Sequence, residues 1–347
     1  MHLRKPTVFI LRNVSIEDLE DLYELSGKVL FINLPHDKEI IKQKILRSNE
    51  CFHTPSNKME DNYYIFVLED LEENKVIGVS MIHAQHGTEK EPHFFLRVSS
   101  EHKYSQTINT GFVHGTLRLG LDTNGPTEIG GLVLNPKYRG NAEKLGKQIS
   151  FVRFLYMGIH ADRFKETIHS ELMPPFDKNG KSPLWEAIGR RFMNMDYDEA
   201  DKLSRSNKEF ILSLFPSNNI YMTLLPYEAR NAVGKVGKDT LPVKRMLEKI
   251  GFHYTNEVDP FDGGPHYRCK LKDITLIQQL KTSTLAPATE RLNKDAKPYL
   301  ISFQYKDYPF FCLKTQASFH DNKIILPQEI IQKFDLKEST EITAIPF

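Results

Sequence analysis

A strand-like run that leads into a glycine-containing turn and then a helical segment is the clearest chemical feature of the sequence. Residues 128–140 begin as an apolar run, pass through Asn-Pro and continue as Tyr-Arg-Gly. The N–H groups at the start of a helix lack intrahelical partners, and the helix dipole favours an anion beside them. We therefore expect a phosphate to bind after Leu134, near Arg139, Gly140 and Gly146. The alternative is an ordinary strand–turn–helix connection.

Two titratable side chains lie beside breaks in the strand-like runs. Glu171 is near the end of the run 167–172, directly before the proline- and glycine-bearing break 173–180, and is a candidate general base or cation-binding group. His266 begins the run 266–271, and its ordinary pKa near 6.5 suits proton transfer at neutral pH. The alternatives are a solvated glutamate at a strand end and a structural histidine.

Asp262 lies in the segment Phe-Asp-Gly-Gly-Pro, residues 261–265. A carboxylate in such a loop is a candidate substrate-binding group, because it can bind a guanidinium or an amine in paired hydrogen bonds. The alternative is an Asx-type turn, in which the aspartate side chain bonds to the nearby backbone and sets up the paired glycines.

The elements that position these residues alternate between strand and helix patterns, which indicates an α/β (α+β) fold. A polar turn joins the strand-like runs 63–69 and 75–83 as a hairpin. The longest helical candidate, 144–164, has an apolar face suited to packing on a sheet.

The composition and the pattern of predicted elements change after about residue 283. The Ser/Thr/Pro-containing segment 282–289 is predicted to be a linker, and short strands follow it. We therefore predict a large α/β body over 7–282, and a division of this body into two similar halves, the second from about residue 165, is the alternative. A small, mostly β C-terminal module is predicted over 283–347.

Composition excludes several classes of protein. The chain has 347 residues, 26% of them charged, and a formal net charge of +1, so no global field attracts nucleic acid or an acidic membrane. No apolar run approaches the roughly 20 residues of a membrane span. Cys51, Cys269 and Cys312 are far apart and predict free thiols in a reducing cytoplasm. Their spacing, and that of the histidines, predicts no metal site.

The anion-binding segment has a recognisable pattern, Leu-x-Leu-x-Pro-x-Tyr-Arg-Gly over 132–140. It resembles the acyl-CoA loop of the GNAT N-acyltransferases, where the bound anion is the pyrophosphate of coenzyme A. The usual loop has glycine or alanine three and five residues after its arginine. Here Ala142 fills the first of these places, Lys144 fills the second, and the next glycine is Gly146.

A wider resemblance rests on seven blocks that occur in one order along the chain: 64–70, 128–139, 150–154, 182–192, 195–197, 247–252 and 261–265. Together they resemble the bacterial arginine N-succinyltransferases, including the arginine/ornithine alpha and beta subunits. The resemblance implies a GNAT-like acyl-CoA N-acyltransferase fold and a role in arginine catabolism. It implies succinyl-CoA as a co-substrate, with no permanently bound cofactor. It places the family's succinyl-CoA-binding leucine at Leu132 and its acidic residue at Glu171.

The chain departs from the family pattern at two places. The family's proton-donor histidine falls at Gly237, and the family's Met-Arg-Gly, which follows its acidic residue, reads Leu-Met-Pro at 172–174. The first departure removes a proton donor and the second removes a cation, so both put the rate and the choice of substrate in question.

The implied reaction is acyl transfer from a thioester to an amine. The guanidinium of arginine stays charged, so its α-amine is the nucleophile. Backbone donors near Leu132 and Leu134 are candidates to hold the thioester carbonyl. The alternatives are an acyltransferase with another amine or acyl donor, and a non-catalytic CoA-binding subunit. The sequence leaves open whether the chain forms a homo- or hetero-oligomer.

Overall fold

The computed structural model describes residues 9–28, 34–205, 207–287 and 290–347. The strands in these ranges are β1 (Phe9–Asn13), β2 (Tyr63–Asp70), β3 (Lys75–His83), β4 (His93–Ser105), β5 (Thr110–Asp122), β6 (Thr127–Leu134), β7 (Thr167–Glu171), β8 (Ile220–Tyr221), β9 (His253–Val258), β10 (Pro265–Lys270), β11 (Lys281–Leu285), β12 (Lys297–Ser302), β13 (Phe311–His320), β14 (Lys323–Ile325) and β15 (Glu341–Pro346).

The helices of the same ranges complete the mixed α/β content. They are α1 (Leu19–Ser26), α2 (Lys38–His53), α3 (Leu145–Ile159), α4 (Pro183–Ala187), α5 (Gly189–Met193), α6 (Tyr197–Ser204), α7 (Glu209–Leu214), α8 (Tyr227–Ala232), α9 (Leu241–Lys249), α10 (Thr275–Gln278) and α11 (Gln328–Lys333).

The chain forms two compact units that each draw on separated segments. Unit 1 consists of the described residues of 1–84, 128–166 and 271–347, and unit 2 of those of 85–127 and 167–270. The C-terminal strands therefore belong to the same compact unit as the N-terminal strands. The domain boundary at 282/283 and the second half from about 165 stay predictions, and residues 7 and 8 lie outside the described ranges.

The sheet of unit 1 runs in the order β12-β15-β11-β14-β13-β1-β2-β3-β6. Strand β12 also pairs with β13, so five C-terminal strands form a closed ring of pairings. The prediction of a linker over 282–289 is wrong for its first half, because β11 pairs with β15 and runs parallel to β14. Residues 288 and 289 of that segment lie outside the described residues.

Helices cover both faces of the central strands of unit 1. Successive side chains of β2 point to opposite faces, so the strand packs against helices on each side. Ile65 and Val67 belong to the cluster that α1 and α2 complete. Tyr64 and Phe66 point to the opposite face and contact Tyr156 of α3. Helix α3 begins one residue after the start of the predicted segment 144–164, but it ends at Ile159, five residues before the predicted end.

The sheet of unit 2 is antiparallel and runs in the order β7-β10-β9-β4-β5-β8. The short helices α4 to α8, together with the connections between them, supply most of the apolar side chains of its core. Trp185 is fully buried there, and its indole N–H donates to the carbonyl of Met195 at 3.0 Å. The only polar atom of its side chain therefore has a hydrogen-bond partner inside the core.

The three cysteines are buried free thiols. None of the helices in the described part of the chain is both long enough and apolar enough to cross a membrane.

Candidate functional site

Strand β6 and the turn after it form the expected anion-binding segment within unit 1. Burial alternates along β6, so Leu132 and Leu134 share a half-buried face while Val133 is buried on the other. Asn135 ends the strand with its backbone N–H bonded to the carbonyl of Ile77 at 2.8 Å. Its side-chain oxygen accepts the N–H of Lys137 at 3.2 Å, which fixes the turn.

A bulge in β6 lies beside Leu132. The pairing of β3 with β6 shifts register between Val79 and Met81, and Gly131 has a φ of +60°. Glycine adopts this left-handed conformation without cost, whereas other residues are strained by it. A Cβ at residue 131 would also lie 2.5 Å from the Cγ and Sδ atoms of Met81. The bulge therefore depends on glycine at this position.

We expect Gly131→Ala to lower the free energy of unfolding by about 1–3 kcal/mol, because it adds both backbone strain and a clash with buried Met81. Urea unfolding measures the loss. Gly180→Ala is the matched control, since Gly180 also has a positive φ of +74° but no described atom lies within 4 Å of its added Cβ. Equal losses in the two variants would show that the bulge imposes no packing constraint.

The turn between β6 and α3 is open and basic. Gly140 has a φ of +73°, and no atom of the described residues lies within 4 Å of a Cβ built on it. Arg139 and Lys144 are exposed on either side of Gly140. Lys144 immediately precedes α3, and Gly146 lies in the first turn of that helix. A helix start with nearby cations and an open glycine suits the approach of a phosphate.

A cluster of three histidines and one glutamate forms in unit 2. Strands β7 and β10 pair so that His266 lies opposite Glu171. The Oε1 atom of Glu171 is 3.4 Å from Nε2 of His169 and 3.4 Å from Nε2 of His266. It is 3.8 Å from Nδ1 of His93, which begins β4. The predicted catalytic pair Glu171 and His266 is therefore brought together.

The imidazoles of His93 and His266 are buried, and burial favours their neutral form. Burial lowers the pKa of His266 to about 3, with a further contribution from His169. Burial also lowers the pKa of His93 well below its ordinary value, and the nearby His86 adds to this effect. His266 is fully buried, whereas the side chain of Glu171 is 35% exposed. Glu171 is therefore the member of the pair that solvent and a small ligand can reach.

Sequence reasoning did not identify His93 and His169 as site residues. One local signal pointed to His169, since residues two apart on a strand share a face and it lies two before Glu171. No local signal pointed to His93, because only the pairing of β4 with β9 and of β9 with β10 brings it near.

Asp262 adopts the turn geometry that was its alternative role. Its side chain is buried, and its Oδ1 atom accepts the N–H of Gly264 at 2.7 Å. The partly buried Asp259 accepts the N–H groups of Phe261 and Asp262 at 2.7 and 2.9 Å. Burial raises the pKa of Asp259 to about 7, and the charge of Glu171 contributes to this rise. Burial and the charge of Asp259 also raise the pKa of Asp262.

These two raised pKa values predict that unit 2 loses stability as the pH rises. The ordinary pKa of aspartate is about 3.9, so the folded state binds more protons than the unfolded state between about pH 4 and 7. The stabilising contribution is complete below about pH 4 and is lost as the pH rises through 7. Asp259→Asn keeps the acceptor oxygen but removes the titration, so we expect a flatter dependence of the free energy of unfolding on pH.

Urea unfolding at several pH values between 4 and 8 measures this difference. The control is Asp239→Asn, which changes an exposed aspartate of the same unit. A pH dependence of Asp259→Asn that matches the wild type would show that Asp259 titrates normally in the folded protein.

Gly237, the predicted position of the resembled family's proton-donor histidine, is closely packed. Its N–H donates to the carbonyl of Met173 at 2.8 Å. A Cβ at residue 237 would lie 2.9 Å from the carbonyl oxygen of Pro174. Gly237 therefore contacts the backbone of Met173 and Pro174, which leaves little space for a larger side chain.

Comparison with known proteins identifies one family. The family described as "Arginine N-succinyltransferase beta subunit" matches residues 9–276. A relative named "Arginine N-succinyltransferase" from Escherichia coli O1:K1 / APEC is 31% identical over 324 residues, which cover 92% of this chain and 88% of the relative. A protein of the same name from Enterobacter sp. (strain 638) is 34% identical over 284 residues, covering 80% of this chain and 81% of the relative.

Among solved structures, the arginine/ornithine succinyltransferase subunit AI from Pseudomonas aeruginosa is similar over nearly its whole length. The TM-score is 0.82 at 25% sequence identity, and the match covers 98% of this chain and 99% of that structure. The prediction of an α/β fold of the N-acyltransferase type, with β-rich C-terminal strands, is confirmed by this likeness.

Proposed function

Because the chain belongs to the arginine N-succinyltransferase family, we propose that it transfers a succinyl group from succinyl-CoA to the α-amine of arginine. The match over residues 9–276 is the observation that carries this proposal, since it spans most of both units. The open, basic turn between β6 and α3 supports it independently. The proposal includes a cytoplasmic location and a role in arginine catabolism.

The proposed site for the acyl-CoA is the segment formed by β6, the following turn and the start of α3. Leu132 and Leu134 would line the strand along which the acyl end lies. Arg139, Gly140 and Gly146 would contact the pyrophosphate. The exposed cation, the open glycine and the helix start support this assignment. The acyl-CoA is a co-substrate, so no permanently bound cofactor is proposed.

In the proposed reaction, the α-amine nitrogen of arginine attacks the thioester carbonyl carbon. A C–N bond forms and the C–S bond breaks, so coenzyme A leaves as a thiol or thiolate. The amine must lose a proton during this sequence. Backbone N–H groups near Leu132 and Leu134 are proposed to stabilise the carbonyl oxygen as it gains charge.

Glu171 is the proposed general base, because its carboxylate ends β7 and is the accessible member of the histidine–glutamate cluster. His266 was the second candidate for this role. Its complete burial and lowered pKa support a positioning role toward Glu171 instead of direct proton exchange with substrate. Asp262 remains a proposed substrate-binding residue, although its side-chain bond to Gly264 supports the turn role.

A thiol-release assay with succinyl-CoA and a panel of amines tests the proposed function. We expect the fastest release with arginine, and mass spectrometry should identify N-succinylarginine as the product. Calorimetry with succinyl-CoA and acetyl-CoA tests binding separately from turnover. Preference for another amine or acyl donor would favour the alternative of an acyltransferase with different substrates. Tight CoA binding without turnover on any amine would favour a non-catalytic subunit in a hetero-oligomer.

A further inference from the structure

The histidine–glutamate cluster of unit 2 has the composition and spacing of a metal site. We propose that His93, His266 and Glu171 bind one first-row divalent cation, such as Zn²⁺, and that His169 donates a hydrogen bond to the carboxylate of Glu171. Together the four residues place one ligand atom each within 4.8 Å of one another. The proposal goes beyond acyl transfer, because it concerns a binding site that this reaction does not require.

One of the two ligand–ligand distances to Glu171 fits tetrahedral coordination, and the other is slightly longer. Zinc binds imidazole nitrogen and carboxylate oxygen at about 2.0–2.2 Å, so neighbouring ligands of a tetrahedron lie roughly 3.3–3.5 Å apart. The Oε1 atom of Glu171 is 3.4 Å from Nε2 of His266. It is 3.8 Å from Nδ1 of His93, so a small side-chain movement would complete this edge.

Buried ring nitrogens without partners are the second observation that points to a ligand. Both ring nitrogens of His266, and Nε2 of His93, have no hydrogen-bond partner among the described residues. Leaving a buried polar group unsatisfied costs about 1–3 kcal/mol. Coordination through Nε2 of His266 would satisfy one of these atoms. The lowered pKa values of both histidines favour neutral imidazole, which is the form that binds metals.

The hydrogen bonding of His169 sets its role. Nε of Arg268 donates to Nδ1 of His169 at 3.3 Å, and a guanidinium nitrogen has no lone pair to accept with. Nδ1 is therefore the acceptor, and Nε2 carries the proton that faces Glu171 at 3.4 Å. His169 would orient the carboxylate rather than bind the cation. Such partners tune metal affinity by about 10–100-fold.

The partial exposure of Glu171 provides access to the site. Its side chain is 35% exposed, whereas those of His93 and His266 are almost completely buried. Two histidines, one carboxylate and an open fourth position for water match the ligand set of many divalent sites. Sequence spacing gave no sign of this set, because its members lie on β4, β7 and β10.

Equilibrium dialysis of the full chain against Zn²⁺ after chelator treatment, followed by elemental analysis, tests the proposal. We expect one zinc per wild-type chain. His93→Ala, His266→Ala and Glu171→Gln should each bind at least 10-fold more weakly, and His169→Ala should bind about 10–100-fold more weakly. His253→Ala, which changes an exposed histidine of the same unit, should bind as the wild type does. Zinc uptake that is absent, or equal in all variants, would overturn the proposal.

Co²⁺ provides a second readout, because bound tetrahedral Co²⁺ gives intense visible absorption. The absorption should appear with the wild type and His253→Ala and be lost with Glu171→Gln. This glutamate is partly exposed, so its neutral isostere should fold even if a buried histidine variant does not. A Co²⁺ spectrum that Glu171→Gln leaves unchanged would contradict the assignment.

These binding measurements need no substrate, so they stand or fall separately from the acyl-transfer proposal. If Glu171 is also the general base, bound Zn²⁺ should slow acyl transfer. An unchanged rate with the site fully loaded would remove Glu171 from the base role and leave the metal site in place.

Discussion

Glu171→Gln is expected to lower kcat for succinyl transfer by about 10²-fold or more, with the affinity for succinyl-CoA unchanged. General base catalysis typically contributes about 10²–10⁴-fold, and glutamine cannot accept the proton of the attacking amine. The substitution keeps the size of the side chain and an oxygen that the neighbouring imidazoles can contact. Thiol release under saturating substrates measures kcat, and calorimetry measures the affinity.

The control for this prediction is Glu228→Gln, which changes an exposed glutamate on α8 of the same unit and should leave both quantities unchanged. A fully active Glu171→Gln enzyme would exclude Glu171 as the base. His266→Ala then becomes informative, since a loss there alone, with the fold and the affinity for succinyl-CoA unchanged, would favour His266 over Glu171 for the proton transfer. If neither variant loses activity, a non-catalytic role gains support.

Gly140→Asp is expected to weaken the binding of succinyl-CoA by about 10–100-fold. The added carboxylate would repel the pyrophosphate and occupy the space where the anion approaches the turn. Each tenfold loss corresponds to about 1.4 kcal/mol. The substitution should preserve the fold, because Asp tolerates the left-handed backbone better than most residues and the added Cβ meets no described atom within 4 Å.

Gly140→Asn separates charge from bulk in this experiment. Asparagine has almost the same shape and the same tolerance of a positive φ, but it carries no charge. We expect it to weaken binding much less than Gly140→Asp, and the difference should shrink as salt screens the repulsion. If both variants bind succinyl-CoA as tightly as the wild type, the pyrophosphate binds elsewhere.

The resemblance predicts that the family's proton-donor histidine falls at Gly237. Because Gly237 contacts the backbone of Met173 and Pro174, a histidine introduced at 237 alone would meet the carbonyl oxygen of Pro174. A histidine there would need the adjoining segment to move as well. This contact is consistent with proton transfer being assigned to another residue in this chain.

The sequence alone determined the parts of the protein that depend on neighbouring residues. The strand, turn and helix around Gly140 were predicted from alternation, the Asn-Pro turn and helical periodicity, and β6 and the start of α3 lie close to the predicted bounds. The turn at Asp262 could also be predicted from the sequence, because an aspartate bonds to the backbone two residues later in an Asx turn. These signals depend on residues a few positions apart, so they can be recognised without knowledge of the fold.

Only the tertiary structure decided the features that depend on which strands pair. The segment 282–289 has linker composition, yet Lys281–Leu285 is a strand because β15 and β14 offer it backbone partners. The cluster of His93, His169, Glu171 and His266 likewise depends on registers between strands distant in sequence. A slip of one residue in β10 would turn His266 to the opposite face. Register is set by non-local hydrogen bonds and core packing, which a single sequence does not display.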